Sequence, residues 1–329
     1  MEIFKSLSER VFSLSPGQFD ALALELFHLQ YQHNPVYRGY VNHLTVNPEM
    51  VTKLTEIPFL PIQFFKNHAV KTGEWEAEQV FESSGTTGQV TSRHEVYATD
   101  LYLRNCELIF ETHYGPIEDV TVLALLPAYL ERSGSSLVLM AEHFISRSND
   151  PRSGFFLYEH EPLMAQLEEL KKEKRPVLLL GVTFALLDLA EKYSIDFPEL
   201  IVMETGGMKG RRKEMTRQEV HAQLTQAFGV KTIHSEYGMT ELFSQAYSKG
   251  WGIFQPSGSM CVMTRDVNDP LTISNELRSG ALNIIDLANV HSCCFIETQD
   301  LGKVYPDGSF EVLGRMDNSD IRGCNLMVL

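Results

Sequence analysis

Phe81-Glu82-Ser83-Ser84-Gly85-Thr86-Thr87-Gly88-Gln89 is the stretch on which the reading of this chain turns. Positions 83–88 hold only hydroxyls and glycines, so this run builds no core. Such a run can wrap backbone N–H groups and hydroxyls around an anion. Its glycines let the backbone come close to a phosphate and permit positive φ. The flanks, 78–81 and 93–97, read as short strands, so a plain hairpin between two strands is the other open reading. Kinase-type phosphate loops close on Gly-Lys-Ser/Thr; here the run continues Gly88-Gln89-Val90, which rejects that motif.

Outward from this stretch, 329 residues suit one large α/β unit or two domains. The net charge of −15, from 28 Lys+Arg against 43 Asp+Glu, argues against broad binding to nucleic acid or an anionic membrane. It leaves room for a local basic pocket. Cys106, Cys261, Cys293, Cys294 and Cys324 form no Cys-x-x-Cys pair, which argues against structural zinc and fits a reduced, cytoplasmic protein. Cys293 and Cys294 sit in a strand-like run and are expected to be one buried and one exposed. No secretory leader or membrane-spanning run is expected.

Taken in order, positions 16–44 show helical spacing of apolar residues, with a break at Asn34-Pro35. Ile57-Pro58-Phe59-Leu60-Pro61 is extended, because each proline biases its predecessor away from helix. Helices are expected over 100–113, 137–144, 163–174, 184–193 and 215–228. Strands are expected over 121–126, 155–158, 177–181, 200–204 and 231–234. Apolar strands alternating with helices imply a largely parallel sheet covered on both faces. Ligands of such sheets sit beyond the carboxyl ends of the strands.

Two loops fall there. Thr205-Gly206-Gly207-Met208-Lys209-Gly210-Arg211-Arg212 reads either as a ligand loop or as a glycine turn with a solvated basic cluster. Ser235-Glu236-Tyr237-Gly238-Met239-Thr240-Glu241 reads as a loop after strand 231–234. A helix cap accounts for Thr240 but not for Glu236, Tyr237 or Glu241. From about Gly252 short strands and turns dominate, over 260–264, 281–286, 294–297 and 310–312, with a turn at 305–309. The expected division is an α/β core, 1–251, and a β-rich subdomain, 252–329.

With these motifs on the page, the chain resembles the adenylate-forming superfamily of acyl-CoA synthetases, adenylation domains and luciferases. Ser83-Ser84-Gly85-Thr86-Thr87-Gly88 is similar to its pyrophosphate loop. Tyr237-Gly238-Met239-Thr240-Glu241 is similar to its aromatic-Gly-x-Thr-Glu motif. Asp300-Leu301-Gly302 with Gly314-Arg315-Met316-Asp317 is similar to its ribose aspartate and hinge. Order and spacings of roughly 150 and roughly 60 residues strengthen the match. Within it, Ile57-Pro58-Phe59-Leu60-Pro61, Phe64-Phe65-Lys66, Glu204-Thr205-Gly206-Gly207-Met208-Lys209-Gly210 and Ile321-Arg322-Gly323-Cys324 resemble the acyl-protein synthetase component of bacterial luminescence fatty acid reductase.

The resemblance implies an adenylate-forming large-domain fold with a small β-rich end. It implies ATP and Mg²⁺ as cofactors and a carboxylic acid, by this family a fatty acid, as substrate. Ser83, Ser84, Gly85, Thr86, Thr87 and Gly88 would hold the departing phosphates, and Thr240 the α-phosphate. Glu241 would supply the metal carboxylate. Tyr237 would present a ring face to adenine, with Gly206 and Gly207 allowing close backbone approach; Glu236 and Gly238 would belong to the cofactor site, and Asp300 and Arg315 would meet the ribose. Members of this superfamily carry a C-terminal lid of roughly one hundred residues with a catalytic lysine. Here fourteen residues, 316–329, follow Arg315, so the lid is expected to be lacking. Lys209 is the nearest substitute by motif, and a solvent-facing lysine is its other reading. Cys324 matches the acyl-accepting cysteine that relays to a reductase; a free cysteine without a role is the alternative.

Function classes left open are an acid–thiol ligase acting on a protein thiol or acyl carrier, a coenzyme A ligase resembling phenylacetate–coenzyme A ligase, and a lidless binding module working in a complex. Acid-dependent pyrophosphate exchange separates ligase from module, and release of acyl-coenzyme A separates the two ligases.

Overall fold

Thr121-Val122-Leu123-Ala124-Leu125 and Val177-Leu178-Leu179-Leu180 are apolar almost without interruption, the pattern of strands buried on both faces. In the computed structural model, which describes residues 2–83, 91–127, 134–206, 215–273 and 279–316, these runs form the middle of one large sheet. The chain opens with α1 (Glu2–Phe12), α2 (Phe19–His33) and α3 (Pro35–His43), followed by β1 (Leu60–Pro61) and α4 (Phe64–Asn67). A hairpin, β2 (Gln79–Glu82) and β3 (Arg93–Val96), leads into α5 (Thr99–Tyr114). Strand and helix then alternate: β4 (Thr121–Leu125), α6 (Ser136–Arg147), β5 (Gly154–Phe156), α7 (His160–Leu170), β6 (Val177–Val182), α8 (Thr183–Ala190), β7 (Ile201–Thr205), α9 (Arg217–Phe228) and β8 (His234–Tyr237). The remainder is β9 (Ala246–Ser248), β10 (Ile253–Pro256), β11 (Met260–Arg265), β12 (Ser279–Asp286), β13 (Phe295–Val304) and β14 (Phe310–Arg315).

The sheet order is β11-β12-β13-β14-β10-β9-β8-β7-β6-β4-β5, with β1 added parallel to β13. Its β5-β4-β6-β7-β8 half is parallel, as the alternation predicts. The other half is antiparallel apart from the β1 pairing, with short turns in place of crossover helices wherever the whole connection is described. The turn at 305–309 is one of these, closed by Tyr305 N–H to the Ser309 carbonyl at 2.8 Å.

Local signals set several ends. Asn34 caps α3, its Oδ1 accepting from Tyr37 N–H at 3.0 Å, with Pro35 at the first helical position where no N–H is needed. Thr216 and Glu219 form a capping box on α9. Gly229 ends that helix at φ +67, and a Cβ there would meet Asp196 at 2.5 Å, so no larger residue fits.

Apolar burial falls into two clusters. One gathers Val122, Leu123, Leu179 and Val202 with helices α5 to α9. The other joins the first helices to the antiparallel strands, through Leu22, Leu26, Phe27, Ile284, Phe295 and Ile296. Tyr37 and Phe295 stack at 6.0 Å between centroids. Buried amides fix the same seam: Gln30 Nε2 donates to the Asn289 carbonyl at 3.0 Å, and Asn34 Nδ2 to the Ser292 carbonyl at 3.0 Å. Those contacts cover Cys293 and Cys294, and both thiols are buried, which corrects the expectation that one is exposed.

A second correction concerns β8. The strand is His234–Tyr237 rather than 231–234, so Ser235, Glu236 and Tyr237 lie within it. Its inward position is Ser235, registered against Glu204 of β7. A polar inward residue removes the apolar alternation by which a strand is recognised. The helix α1 and the short strands β9 and β10 also went unread.

Candidate functional site

The β2–β3 hairpin holds the base of the hydroxyl–glycine loop. Ser83 N–H donates to the Ser92 carbonyl at 3.0 Å, and Ser92 N–H returns to Ser83 Oγ at 2.8 Å. Ser84, Gly85, Thr86, Thr87 and Gly88 lie outside the described residues.

The neighbouring β3 residue, His94, reaches across the sequence to the Thr240 carbonyl, with Nδ1 at 2.9 Å. A carbonyl only accepts, so Nδ1 carries the proton. The ring is fully buried, stacked on Phe243 at 5.1 Å between centroids. Burial pushes its pKa down to about 4, against the bond to Thr240, so the imidazole is neutral at neutral pH. Its Nε2 has no partner among the described residues.

Glu241 follows at 5% exposure. Burial pushes its carboxyl above the usual range, opposed by a hydrogen bond from Ser92 and by the charges of Arg315 and Lys66. No ion pair within 4.0 Å joins it to a described residue. Ser92 therefore touches both sides, Ser83 with its backbone and Glu241 with its side chain. Behind this turn stands Asp286, fully buried at the end of β12. Its Oδ2 accepts from Phe243 N–H at 2.8 Å and Ser244 N–H at 2.9 Å, and its Oδ1 from Ser244 Oγ at 2.6 Å. Burial pushes the Asp286 carboxyl up despite these bonds. Asn289 Nδ2 holds the Glu241 carbonyl at 2.9 Å.

At the start of the same motif, the Tyr237 hydroxyl donates to Asp300 Oδ2 at 2.7 Å. Burial, then the Asp300 charge, raises the phenol above its ordinary value. Asp300 is registered opposite Arg315, whose Nε lies 3.4 Å from Oδ1. The Arg315 side chain is 70% exposed. The Tyr237 ring lies edge-on to Phe310 at 5.4 Å.

Thr205 and Glu236 are paired across β7 and β8, and Thr205 Oγ1 donates to Glu236 Oε2. A Cβ on Gly238 would stand 2.4 Å from Glu236 Oε1, so a larger residue there would push that carboxylate aside. Gly206 follows at φ +70. Gly207, Lys209 and Cys324 lie outside the described residues.

The fold thus brings Ser83, Thr240 and Glu241 together through Ser92 and His94. It places Tyr237, Asp300 and Arg315 in one cluster, and Gly206, Glu236 and Gly238 beside it. Sequence reading missed Ser92 and Asp286 and gave His94 no role. An aspartate closing the apolar run Leu282-Asn283-Ile284-Ile285-Asp286-Leu287 was the available signal. His143 lies 2.6 Å from Glu107 through Nε2. Among the described residues no set of three His, Cys, Asp or Glu side chains is arranged to hold a metal, and no helix is long and apolar enough to cross a membrane.

The architecture is that of the N-terminal domain of adenylate-forming enzymes, a mixed α/β sheet followed by a small β-rich part. No protein-family model matches the sequence, and no curated protein matches it. Among solved structures the chain is similar to ATP-bound MatB from Rhodopseudomonas palustris, at 16% identity and a TM-score of 0.53 over 72% of this chain and 47% of that one. It is also similar to O-succinylbenzoate coenzyme A synthetase (MenE) from Bacillus subtilis in complex with AMP, at 17% identity and a TM-score of 0.50 over 73% and 49%. A long-chain-fatty-acid-CoA ligase (FadD1) from Archaeoglobus fulgidus matches at 15% identity and a TM-score of 0.51 over 72% and 51%. The likeness spans about half the length of these neighbours, and at these identities it is one of fold.

Proposed function

We propose that this chain activates a carboxylic acid with ATP and passes the acyl group to a thiol. The observation that carries the reading is the meeting of the hydroxyl–glycine loop base with Thr240 and Glu241 through Ser92 and His94. A carboxylate oxygen attacks the α-phosphorus, the bond to the β-phosphate oxygen breaks, and pyrophosphate leaves. The protein's part is positioning and charge neutralisation.

In this reading residues 83–88 hold the departing phosphates and the Thr240 hydroxyl holds the α-phosphate. His94 and Asp286 keep the Thr240–Glu241 turn in place. Asp300 accepts from ribose hydroxyls and Arg315 donates beside them; Tyr237, Glu236, Gly206, Gly207 and Gly238 border adenine. Lys209 supplies positive charge near the α-phosphate. Glu241 suits Mg²⁺, being a buried hard-oxygen donor without an ion-paired cation among the described residues. Mg²⁺ binds through one or two carboxylates plus substrate phosphates, and there it would neutralise phosphate charge.

The acceptor is proposed to be Cys324, whose sulfur attacks the acyl carbonyl so that the bond to the AMP oxygen breaks and AMP leaves, with onward transfer to a partner protein, and the acid a fatty acid, in a cytoplasmic setting. A second reading takes coenzyme A as acceptor; two fold neighbours, one described as a coenzyme A synthetase and one as a CoA ligase, favour it. The test is acid-dependent exchange of labelled pyrophosphate into ATP across a panel of acids, then product analysis with and without coenzyme A. Exchange with a fatty acid supports the activation step. No exchange with any acid leaves a binding module.

A further inference from the structure

Glu204 is a carboxylate at 8% exposure near the carboxyl end of β7, registered between Gly181 of β6 and Ser235 of β8. None of the roles above uses it, yet groups from three other elements converge on it. Thr183, the first residue of α8, places Oγ1 2.8 Å from Glu204 Oε2. His221 of α9 places Nε2 3.6 Å from Oε1, and Ser235 of β8 adds a hydroxyl. Burial pushes this carboxyl up, but the nearby His221 and Ser235 and the bond from Thr183 outweigh it and hold it below its ordinary value. Glu204 is therefore an ionised buried carboxylate at neutral pH. Arg217, one helical turn before His221, adds favourable charge, and its guanidinium donates to the Val312 carbonyl of β14 at 3.1 Å.

Thr183 Oγ1 is also 2.8 Å from the Gly206 carbonyl oxygen. A hydroxyl has one proton, and here two acceptors face it. Gly206 stands at φ +70, where the chain turns out of the sheet. How that proton is shared sets the grip on this turn.

We propose that Glu204 is a positioning residue for the nucleotide: through the Thr183 hydroxyl it sets the Gly206 carbonyl, and so the turn that borders adenine. The inference rests on the proposed reading of that turn as the adenine side of an ATP site. An ionised Glu204 is the stronger acceptor and draws the Thr183 proton away from Gly206. Glu204→Gln reverses the sharing, because its amide donates to Thr183 Oγ1 and leaves the Thr183 proton for Gly206. Thr183→Val removes the proton altogether. The two substitutions therefore move the Gly206 contact in opposite directions.

The experiment measures ATP affinity by calorimetry, with melting temperature and amide exchange of the 201–206 peptide, for wild type, Thr183→Val, Thr183→Ser and Glu204→Gln. Thr183→Val should weaken ATP binding by about five- to tenfold and speed exchange in that peptide. Thr183→Ser should behave as wild type. Glu204→Gln should melt lower, since His221 and Arg217 lose their anion, while binding ATP at least as tightly as wild type. ATP affinity that falls in step with melting temperature in both variants would mean a structural role only. Equal binding by wild type and Thr183→Val overturns the positioning role and spares the ATP site, whereas a wild-type chain that binds no ATP overturns both.

Discussion

The Tyr237 hydroxyl and Asp300 Oδ2 are 2.7 Å apart although 63 residues separate them in sequence. That bond joins the last residue of β8 to the middle of β13 and occupies one carboxylate oxygen, while Arg315 stands by the other. A ligand hydroxyl at Asp300 must therefore share the carboxylate with Tyr237.

Tyr237→Phe keeps the ring and removes this donor. A hydrogen bond to a charged group contributes about 1.5–3 kcal/mol to stability, so the melting temperature should fall, and ATP affinity should fall with it as Asp300 loses the partner that orients it. Asp300→Asn should fall further. The double mutant should lose less than the sum, because the residues act as a pair. Calorimetric titration of the four proteins checks this, and strict additivity would separate the two residues.

Thr86→Val with Thr87→Val should abolish acid-dependent pyrophosphate exchange and leave the fold intact. Valine keeps the size and β-branch of threonine and removes only the hydroxyl. A folded double variant with unchanged exchange would remove the loop from phosphate binding.

Glu241→Gln should separate activity from stability. Burial disfavours the Glu241 charge, so a neutral amide of equal size should raise the melting temperature slightly. Mg²⁺-dependent use of ATP should fall far more than metal-free nucleotide binding. Equal loss of both would make Glu241 structural.

His94 predicts an acid-labile fold. Its folded pKa, about 4, lies below the unfolded value of about 6.5, so the folded state binds fewer protons. The stabilisation is complete above pH about 6.5 and is lost as pH falls towards 4, reaching about 3 kcal/mol. His234 and His291 are also pushed down to about 4 by burial and act in the same direction. His94→Asn keeps a donor for the Thr240 carbonyl and should flatten the pH dependence of urea midpoints across that window. An unchanged slope would mean that His94 is accessible to protons.

Cys324→Ser should abolish hydroxylamine-sensitive labelling by radioactive fatty acid in the presence of ATP and Mg²⁺. Pyrophosphate exchange should persist, because activation precedes transfer. Label retained in the variant would point to another thiol.

The parallel half of the sheet was legible because β4 and β6 are buried on both faces and carry no polar interruption. Asn34-Pro35 and the Thr216/Glu219 box marked helix ends because capping acts within a few residues. The segments 83–88, 237–241 and 300–315 stood out as candidates for a similar reason, since glycine, hydroxyl and carboxylate chemistry is local. Tertiary structure alone decided which of them touch. Ser92 and His94 carry no distinguishing pattern in sequence, yet register in the β2–β3 hairpin aims them at Glu241 and Thr240. Asp286 lies in a strand that reads as core, and becomes the anchor of the 243–244 turn because antiparallel pairing ends beside it. Cys293 and Cys294 are both buried because distant helices α2 and α3 close over them. Propensity and capping are written in neighbouring residues, whereas burial and pairing depend on segments brought together from across the whole chain.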